Sequence, residues 1–321
     1  MNTAEISSPI PANSRVGFLG PLGTFTEQAL LSQPDLAAAE IVPIDTIDEV
    51  LRCVHRGDVD YGFVAIENAI EGTVNLTLDT LAFDLDLRIQ REVLLDIHMN
   101  LMAAPGTRLG DITSILSIPV AVAQVRGFLR KNLPDAELRA ANSTAEAAQT
   151  LGTDKPHGVA AVAPALAAEL YGLDIVAHDI EDHHDNQTRF VLVSKDGLAA
   201  PTGHDKTSLV IYQRADVPGS LLSILQEFAA RSINLTKLES RPTKTNLGDY
   251  CFIIDLEGHV VDEVVADCLR NLKMKQGGVK FLGSYPAAAH NGAEVRAAAS
   301  ADWQAAKGWV EAIRRGEVPL T

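Results

Sequence analysis

Short apolar runs alternate along this chain with helix-capping sequences, and this alternation most limits how the chain can fold. A Ser or Thr stands three residues before a Glu at 24–27, 46–49 and 143–146. In this capping box the two side chains satisfy free N–H groups at the start of a helix. Apolar runs at 16–19 and 61–66 have the length and composition of strands. The order predicts an α/β fold with largely parallel sheets.

Two blocks of this kind precede residue 195. The first block predicts a strand at 16–19, a helix from 24, a helix from 47 that Gly57 ends, a strand at 61–66, a helix at 75–83 and an extended run at 90–104. The second predicts a helix at 121–132, a strand at 138–141, a helix from 143, a strand at 159–162, a helix at 164–171 and a strand at 190–194. Two similar α/β lobes joined by long strands form a cleft, and ligands in such sheets bind at the loops beyond the carboxyl ends of strands.

A different order follows a linker at 196–205, which is rich in Gly, Pro, Ala and Thr. The predicted elements are a strand at 207–213, a helix at 218–231, strands at 233–241 and 249–257, a helix at 261–272 and a strand at 279–285. This is the βαββαβ order of a ferredoxin-like unit. We therefore expect a disordered leader at 1–14, a two-lobed unit at 15–195, the linker, a ferredoxin-like domain at 206–286 and a tail at 287–321 with a helix at 301–315.

Composition excludes several classes of protein. The 42 acidic and 27 basic residues give a formal net charge of −15 without a basic stripe, so nucleic acid is not an expected partner. Cys53, Cys251 and Cys268 are isolated in apolar runs and lack metal-ligand spacing, which indicates reduced core cysteines. No apolar stretch approaches the ~20 residues of a membrane-spanning helix, and residues 1–14 lack the features of a secretory signal. We expect a soluble cytoplasmic protein that does not bind membranes.

Polar residues cluster at three loops of the two-lobed unit. The turn from Gly20 through Gly23 to Thr24 lies between a strand and a helix N-terminus, where free N–H groups favour an anion, although an ordinary capped turn fits equally well. Glu67 and Asn68 close the strand at 61–66, and 71–75 opens the next helix. These residues suit either a binding site or an ordinary polar loop.

The third loop, 182–190, contains two His and two Asp and leads directly into an apolar strand. Adjacent residues of an extended chain point in opposite directions, so the loop is expected to be hydrated and to hold no metal. Arg189 begins a buried strand and must be paired. Two alternatives stay open: it binds the carboxylate of a ligand, or it forms a structural salt bridge with Asp182 or Asp185.

Eight short segments, in this order, resemble the family of prephenate dehydratases that carry a C-terminal ACT regulatory domain. They are Gly20-Pro21-x-Gly23-Thr24-Phe25; Ile66-Glu67-Asn68 with Gly72-x-Val74; Thr80-Leu81; Ser143-Thr144-Ala145; Ala168-x-x-x-Tyr171-Gly172-Leu173; Asp182-x-x-x-Asn186-x-Thr188-Arg189-Phe190; Glu239-Ser240-Arg241-Pro242; and Leu256-Glu257-Gly258-His259. The resemblance covers about residues 15–286, and the joint order of the segments makes it specific.

The resemblance implies a two-lobed catalytic unit, similar to periplasmic-binding-protein domains, followed by a βαββαβ ACT domain. The implied activity is conversion of prephenate to phenylpyruvate, water and CO2 in phenylalanine biosynthesis, without a cofactor. Phenylalanine is expected to bind between the ACT domains of two subunits, which implies a homo-oligomer, either a dimer or a tetramer. The residues implied at this effector site are Gly219, Ser220, Leu221, Asn234, Glu239, Ser240, Arg241 and Pro242. The 14 residues before the first strand are too few for a chorismate mutase module, so a monofunctional enzyme is expected.

The resemblance also implies roles for residues of the catalytic unit. Thr188 would donate a hydrogen bond to the departing hydroxyl, while Glu67 supplies or orients a proton and Asn68 positions the ring or the loop. Arg189 would bind a substrate carboxylate. Further residues implied at the substrate site are Phe190, Asn186, Gly23, Thr24, Ser143, Thr144 and Thr73.

The chain departs from the family pattern at three places. Ala65 and Ala69 replace the usual Pro and Ser around Ile-Glu-Asn, so a hydroxyl role there is lost or passes to Thr73. Ile118 stands where the family often has His, and Ser220 stands for Ala in the ACT domain.

Two rival functions remain open at the level of sequence. An arogenate dehydratase performs the same chemistry on the aminated substrate. A non-catalytic amino-acid sensor would use the cleft and the ACT unit only for binding, although it would have no chemical reason to keep residues 188–190.

Overall fold

The computed structural model describes residues 9–213, 218–244, 249–288 and 293–317. Within these residues the chain forms two compact units. One unit contains Ile10–Thr80 and Val93–Val193, and the other contains Leu81–Glu92 together with the described residues from Ser194 onward. We call the first the catalytic unit, after the role that the family resemblance implies, and the second the C-terminal unit.

The catalytic unit contains eight helices and eleven strands among its described residues, and β5 and β11 run past its borders. The elements are β1 (Arg15–Leu19), α1 (Phe25–Leu31), α2 (Pro34–Ala37), β2 (Glu40–Ile44), α3 (Ile47–Arg56), β3 (Tyr61–Asn68), β4 (Gly72–Thr73), α4 (Asn75–Asp79), β5 (Arg88–Asp96), β6 (Asn100–Ala103), β7 (Ser114–Ser117), α5 (Pro119–Gln124), α6 (Arg126–Asn132), β8 (Glu137–Ala140), α7 (Thr144–Asp154), β9 (Val159–Ala163), α8 (Ala165–Tyr171), β10 (Asp174–Ala177) and β11 (Gln187–Ser194). A π-helical turn, Thr80–Asp84, follows α4, and a 3-10 turn, Leu109–Asp111, precedes β7.

These strands form two sheets, one for each lobe. The first sheet has the order β2-β1-β3-β11-β5, with β4 paired to β3, and the second has the order β10-β6-β9-β7-β8. In the first lobe β1 is parallel to both β2 and β3, and in the second β7 is parallel to both β8 and β9. The predicted two-lobed fold is confirmed.

The capping boxes position the helices as their spacing predicts. The hydroxyls of Thr24, Thr46 and Ser143 accept N–H bonds from the third residue of their helices at 3.2, 3.1 and 2.9 Å. Gly57 ends α3 with φ 83°, a left-handed conformation that costs glycine little. Strong local signals therefore account for the starts of α1, α3 and α7.

Several elements differ from their predictions because tertiary packing overrides the local pattern. The predicted helix at 121–132 breaks at Val125, whose φ of −116° divides it into α5 and α6. The predicted helix at 75–83 changes into a π-helical turn at Thr80. The sequence interpretation also missed five short elements, which have few residues and weak periodicity: α2, β2, β4, β7 and β10.

The predicted extended run at 90–104 consists of two strands, β5 and β6, which belong to different lobes. The segment between them is one of two places where the chain crosses between the lobes. The second crossing connects β10 with β11. The two run side by side, since the N–H of Ile97 donates to the carbonyl of Asn186 at 2.8 Å and the N–H of Ile180 donates to the carbonyl of Met99 at 2.8 Å. We call the segments 97–99 and 178–186 the lobe junction.

The ordered chain begins before the predicted boundary at residue 15. Ile10 is 9% exposed and packs in the core of the first lobe. Its N–H also donates to the carboxylate of Asp35 at 3.0 Å. Residues 9–14 are therefore part of the fold, contrary to the prediction of a disordered leader, while 1–8 lie outside the described residues.

The C-terminal unit has the predicted βαββαβ order. Its elements are β12 (Asp205–Tyr212), α9 (Ser220–Ala229), β13 (Leu235–Pro242), β14 (Tyr250–Glu257), α10 (Glu263–Lys275) and β15 (Gly278–Pro286), followed by α11 (Ala293–Arg314). The strands form an antiparallel sheet of order β13-β14-β12-β15. The apolar faces of α9 and α10 cover one core, which includes Phe228 and Leu272. The tail helix begins earlier than predicted, and Lys307 contacts Glu263 of α10 at 3.5 Å.

The segment Leu81–Glu92 is bound into the C-terminal unit. Lys206 of β12 lies 2.9 Å from both carboxylate oxygens of Glu92, whose side chain is 1% exposed. Lys280 of β15 donates to the carbonyl of Leu85 at 2.9 Å. A Cβ on Gly283 would lie 2.4 Å from the carbonyl oxygen of Ile89, so only glycine permits this approach. Nothing in the local pattern of 81–92 predicts this placement.

None of the three cysteines lies in a disulfide within the described parts of the chain. Cys251 and Cys268 are buried and Cys53 is half-buried. Burial raises the pKa of the Cys268 thiol to about 12, which makes it an inert core residue. No helix in the described parts of the chain is long and apolar enough to cross a membrane.

Candidate active site

Thr188 and Asn68 meet at the edge of the first sheet, where β3 ends and β11 begins. The Nδ2 of Asn68 donates to the Oγ1 of Thr188 at 2.9 Å, across 120 residues of sequence. Thr188 is 9% exposed. A hydroxyl carries one hydrogen and two lone pairs. Because the amide occupies a lone pair, the hydroxyl hydrogen of Thr188 stays available for another acceptor.

The orientation of the Asn68 amide follows from its surroundings. Its Oδ1 accepts the backbone N–H groups of Ile70 and Glu71, each at 2.9 Å. Two donors facing one side of the amide require the oxygen on that side. The NH2 group must therefore face Thr188 and Asn186.

The hydrogen-bond chain continues into the second lobe. Asn68 donates to the Oδ1 of Asn186 at 2.9 Å, and the Nδ2 of Asn186 donates to the Oε1 of Gln124 at 3.1 Å. The Nε2 of Gln124 in turn donates to Glu71 at 3.2 Å. Asn186 is 1% exposed and Gln124 is 7% exposed, so the amides are held in a buried network. The network fixes the position of Thr188 relative to both lobes.

Arg189 has a partner that the sequence interpretation did not consider. Its Nη1 lies 3.5 Å from the Oε2 of Glu67, and its side chain is 9% exposed. Asp182 instead accepts the N–H of Gly127 at 2.9 and 3.0 Å. Among the described residues no ion pair joins Arg189 to Asp182 or Asp185, and the structure places Arg189 beside another predicted site residue.

The ends of β3 and β11 bring the two pairs together. Thr188 and Arg189 are neighbours on β11, and their partners Asn68 and Glu67 are neighbours on β3. The strand ends therefore present a hydroxyl with an amide and a guanidinium with a carboxylate.

Phe190 does not line the substrate site, contrary to the sequence expectation. It is 1% exposed and stacks on Phe63 with ring centroids 5.4 Å apart and an interplanar angle of 9°. Both rings belong to the core of the first lobe. Two residues beyond Thr188 on the same face, Phe190 supports the strand from beneath the site.

The N-terminus of α1 is already occupied by its own residues. The N–H of Gly23 donates to the carboxylate of Glu27, and the hydroxyl of Thr24 donates to the carbonyl of Leu19 at 3.2 Å. Glu27 is 6% exposed. A carboxylate of the chain therefore takes the place that an anion was expected to fill, which favours the capped-turn alternative.

Gly23 also has a steric role. Its φ is +86°, and a Cβ there would lie 3.2 Å from the ring of Tyr171. The hydroxyl of Tyr171 donates to the carbonyl of Leu22 at 2.7 Å. Burial, helped by the nearby Glu27 carboxylate, raises the pKa of Tyr171. Gly23 thus permits the turn to pack against α8.

Three further predicted substrate residues lie outside the hydrogen-bond network: Ser143, Thr144 and Thr73. Ser143 caps α7, and Thr144 is 7% exposed in the first turn of that helix. Among the described residues, no hydrogen bond joins either of them to Asn68 or Thr188. Thr73 pairs with Glu67 through the β3–β4 ladder and is half-buried next to the site.

Gln124 is the main residue of the network that sequence reasoning missed. It ends α5, where nothing in the spacing distinguishes it from a surface glutamine. Gln187 lies in the predicted polar loop at 182–190 but received no role of its own, and its Nε2 donates to Asp96 at 2.7 Å. The only available signal was the density of Asn and Gln around 186–187.

The predicted effector residues separate into two groups in the C-terminal unit. Gly219 precedes α9 with φ +87° and no side-chain cap, and Arg241 lies at the end of β13. Arg241 and Tyr212 both pair with Cys251, so the end of β12 that leads to α9 lies at the Arg241 end of the sheet. Asn234 precedes β13 at its other end, about 16 Å from Glu239 at ~3.3 Å per residue. Within one chain, Asn234 is not brought to the remaining effector residues.

Comparisons with known families agree with this architecture. The family model for prephenate dehydratase matches residues 16–197, more than half of the chain. The chain belongs to the prephenate dehydratase family. The model for the ACT domain matches residues 207–273, within the C-terminal unit. The family resemblance and the fold class expected from the sequence are confirmed.

Individual relatives of the family are similar over nearly their whole length. The prephenate dehydratase of Mycolicibacterium vanbaalenii is 41% identical over 315 residues, which cover 94% of this chain and 98% of the relative. A solved structure of prephenate dehydratase from Arthrobacter aurescens in complex with L-Phe is 42% identical, with a TM-score of 0.84, and covers 94% of this chain and 99% of that one.

A third comparison separates fold from function. GqqA, described as a novel type of quorum quenching acylase, is 29% identical with a TM-score of 0.75, covering 85% of this chain and 98% of its own. One fold can host different chemistries. The activity of this chain must therefore be argued from its own site.

Proposed function

We propose that this chain is a prephenate dehydratase that converts prephenate to phenylpyruvate, water and CO2. Membership of the family supports the proposal, but the observation that carries it is the Thr188 hydroxyl. Asn68 holds the oxygen of that hydroxyl at 2.9 Å and leaves its hydrogen available. A hydrogen-bond donor aimed at a departing hydroxyl is the group that this elimination requires.

The chemistry defines what the donor must do. The electrons of the C–C bond to the ring carboxylate enter the ring, and the C–O bond to the ring hydroxyl breaks. CO2 leaves, the ring becomes aromatic, and the oxygen departs with a growing negative charge that a proton must neutralise to form water. Thr188 is far too weakly acidic to ionise fully, so it stabilises this oxygen by a hydrogen bond that strengthens as charge develops.

Asn68 acts through Thr188 as a positioning residue. Its amide orients the hydroxyl and polarises it, because donors in series strengthen one another in a buried network. Asn186 and Gln124 hold the Asn68 amide in turn. The donor is therefore preorganised before substrate binds, which avoids a reorganisation cost during the reaction.

Arg189 is proposed to bind a substrate carboxylate. Its guanidinium is planar and always charged, and its fork suits a carboxylate. The 3.5 Å separation from Glu67 is longer than the 2.7–2.9 Å expected of a well-formed charged hydrogen bond. Glu67 is proposed to orient the guanidinium and to move protons at the site, with Thr73 next to it.

A direct assay separates the proposal from its two rivals. Phenylpyruvate absorbance is followed after prephenate is added to the purified protein, and kcat/KM is measured for prephenate and for arogenate. The proposal requires formation of phenylpyruvate far above the uncatalysed rate and a higher kcat/KM for prephenate. A higher kcat/KM for arogenate would identify an arogenate dehydratase. If neither substrate reacts faster than the uncatalysed rate, the non-catalytic amino-acid sensor is the remaining alternative.

We further propose that phenylalanine regulates the enzyme from a site shared by two C-terminal units. Gly219, Ser220 and Leu221 would meet Glu239, Ser240, Arg241 and Pro242 of one chain. Asn234 reaches such a site only if it comes from a second copy, which is the arrangement that the family resemblance implies. The edge strand β13 and the exposed Leu222 and Leu238, at 59% and 44%, offer surface for that second copy.

The test of this regulation is activity with and without phenylalanine, combined with the molar mass in solution. We expect phenylalanine to lower the activity of a cytoplasmic homo-oligomer that needs no cofactor for turnover. A monomeric protein with unchanged activity at saturating phenylalanine contradicts this part of the proposal without affecting the assignment of the reaction.

A further inference from the structure

The lobe junction gathers three side chains that suit a transition metal. His98 lies on the first crossing, and Asp179 and Glu181 lie on the second. One ligand atom from each residue lies within 4.8 Å of the other two. Imidazole nitrogen with carboxylate oxygen is a donor set typical of Zn²⁺. None of these residues belongs to the hydrogen-bond network around Thr188.

The distances match the edges of a coordination tetrahedron. The Nδ1 of His98 is 3.4 Å from the Oδ1 of Asp179 and 3.3 Å from the Oε1 of Glu181. Ligands bound to Zn²⁺ at ~2.0–2.1 Å in tetrahedral geometry are separated by about 3.3–3.4 Å. These two separations equal the spacing that a central ion imposes, and the ligand oxygens of Asp179 and Glu181 lie within 4.8 Å of each other.

Hydrogen bonding alone explains these contacts poorly. A charged N–H···O bond is normally 2.7–2.9 Å long, so both contacts are too long by about half an ångström. Nδ1 of an imidazole carries at most one hydrogen and cannot donate well to two carboxylates at once. Two carboxylate oxygens within 4.8 Å of each other also repel unless a cation lies between them.

The surroundings hold the ligands in place. The Glu181 side chain is 1% exposed, and its Oε2 accepts the N–H of Met99 at 2.9 Å, which directs Oε1 towards His98. Asp179 has φ +49°, an uncommon conformation for a residue other than glycine. A second imidazole, His184, places its Nδ1 3.4 Å from the same Oε1.

We propose that His98, Asp179 and Glu181 form a binding site for a divalent transition metal of the Zn²⁺ class, with water in the fourth position. The loop at 182–190 was not expected to hold a metal, because its two His and two Asp are adjacent pairs. The proposed metal site uses residues outside that loop, which are not adjacent in sequence and come from both crossings. Its consequence is mechanical, because one ion ties together the two chain segments that connect the lobes.

The full-length protein is first treated with a chelator to remove bound metal. Its binding of Zn²⁺ and Co²⁺ then tests the proposal. Isothermal titration calorimetry with Zn²⁺ should show one site per chain, and Co²⁺ at that site should give the strong visible absorption of a tetrahedral complex. Mg²⁺ should not compete, because it prefers six oxygen ligands. Failure to bind Zn²⁺ at about 100 µM overturns the proposal, because formed structural sites bind Zn²⁺ far more tightly than that.

Three variants locate the binding. Asp179→Asn keeps the size of the side chain and suits a positive φ, so it should fold, and it should weaken Zn²⁺ binding at least about a hundredfold. His98→Gln should do the same. The matched control is His183→Ala, which removes an exposed imidazole from the same loop and should bind Zn²⁺ like the wild type. Wild-type affinity in both Asp179→Asn and His98→Gln, or its loss in His183→Ala, contradicts the assignment.

Amide hydrogen exchange tests the mechanical consequence. The N–H groups of Ile97 and Ile180 bond across the two crossings. Saturating Zn²⁺ should slow their exchange at least about tenfold in the wild type but not in Asp179→Asn, since local opening must break the metal bonds. Unchanged exchange in the metal-bound wild type shows that the ion does not tie the crossings together.

Discussion

Removing the Asn68 amide should reduce turnover only as long as Thr188 has its hydroxyl. Asn68→Ala deletes the donor that lies 2.9 Å from Oγ1 of Thr188. Thr188→Val keeps the shape of the side chain and deletes the hydroxyl. The two single variants and the double variant form a thermodynamic cycle for the rate of the chemical step.

The magnitudes follow from what each variant removes. Deleting a donor that meets developing charge costs about 10²–10³ in kcat, so Thr188→Val should lie near 10³. Asn68→Ala leaves the hydroxyl in place but unoriented, and we expect a loss of about 10². Groups that act as a unit are strongly non-additive. The double variant should therefore lose about 10³, rather than the product of about 10⁵.

Phenylpyruvate formation from saturating prephenate gives kcat for all four proteins, and circular dichroism confirms that each is folded. Asn68 also donates to Asn186, so a general loss of structure must be distinguished from loss of orientation. Asn186→Ala is the control for that bond. Independent, multiplying effects of Asn68→Ala and Thr188→Val would refute the orienting role of Asn68.

Further predictions concern stability, its dependence on pH, turnover and the response to phenylalanine. Phe190→Ala should lower the free energy of unfolding in urea by about 3–5 kcal/mol because it leaves a cavity beside Phe63, while KM of the folded enzyme stays near the wild-type value. Hydrogen bonding from Lys275 lowers the pKa of the Glu227 carboxyl below its ordinary 4.5. The stabilisation is complete above that value and is lost as pH falls through the folded pKa, so urea denaturation of Glu227→Gln should show its largest deficit at neutral pH and a smaller one in acid. Gln124→Ala should lower kcat about tenfold by freeing the Asn186 amide, while circular dichroism shows that the variant stays folded. Arg241→Ala should abolish the response to phenylalanine in the activity assay and leave the basal rate unchanged.

The elements that could be predicted from the sequence are those set by local chemistry. Capping boxes at Thr24, Thr46 and Ser143 involve residues three apart, so their spacing is visible in the chain itself. The βαββαβ order beyond residue 205 is visible for the same reason, because periodicity and turn residues are local. Short strands such as β2 and β7 carry too few residues for a period, and their partners in the sheet define them.

The same distinction between local and tertiary signals applies to the candidate site. The motif at 186–190 identifies Thr188 and Arg189, but their partners Asn68 and Glu67 are far away in sequence, and only the sheet order brings them together. Phe190 was assigned to the substrate because of its place in the motif, whereas the burial of its ring decides its role. Gln124 has no local signal at all, because its importance comes from the position of α5 beside the lobe junction.

The kcat of Thr188→Val beside that of Thr188→Ser, with prephenate as substrate, tests the central claim most directly. Serine keeps the hydroxyl that Asn68 orients, so Thr188→Ser should retain turnover within about tenfold of the wild type. Valine keeps the shape without the hydroxyl, so turnover should fall about a thousandfold while the protein stays folded. Turnover of Thr188→Val close to that of the wild type would contradict the assignment of Thr188 as the donor to the departing hydroxyl.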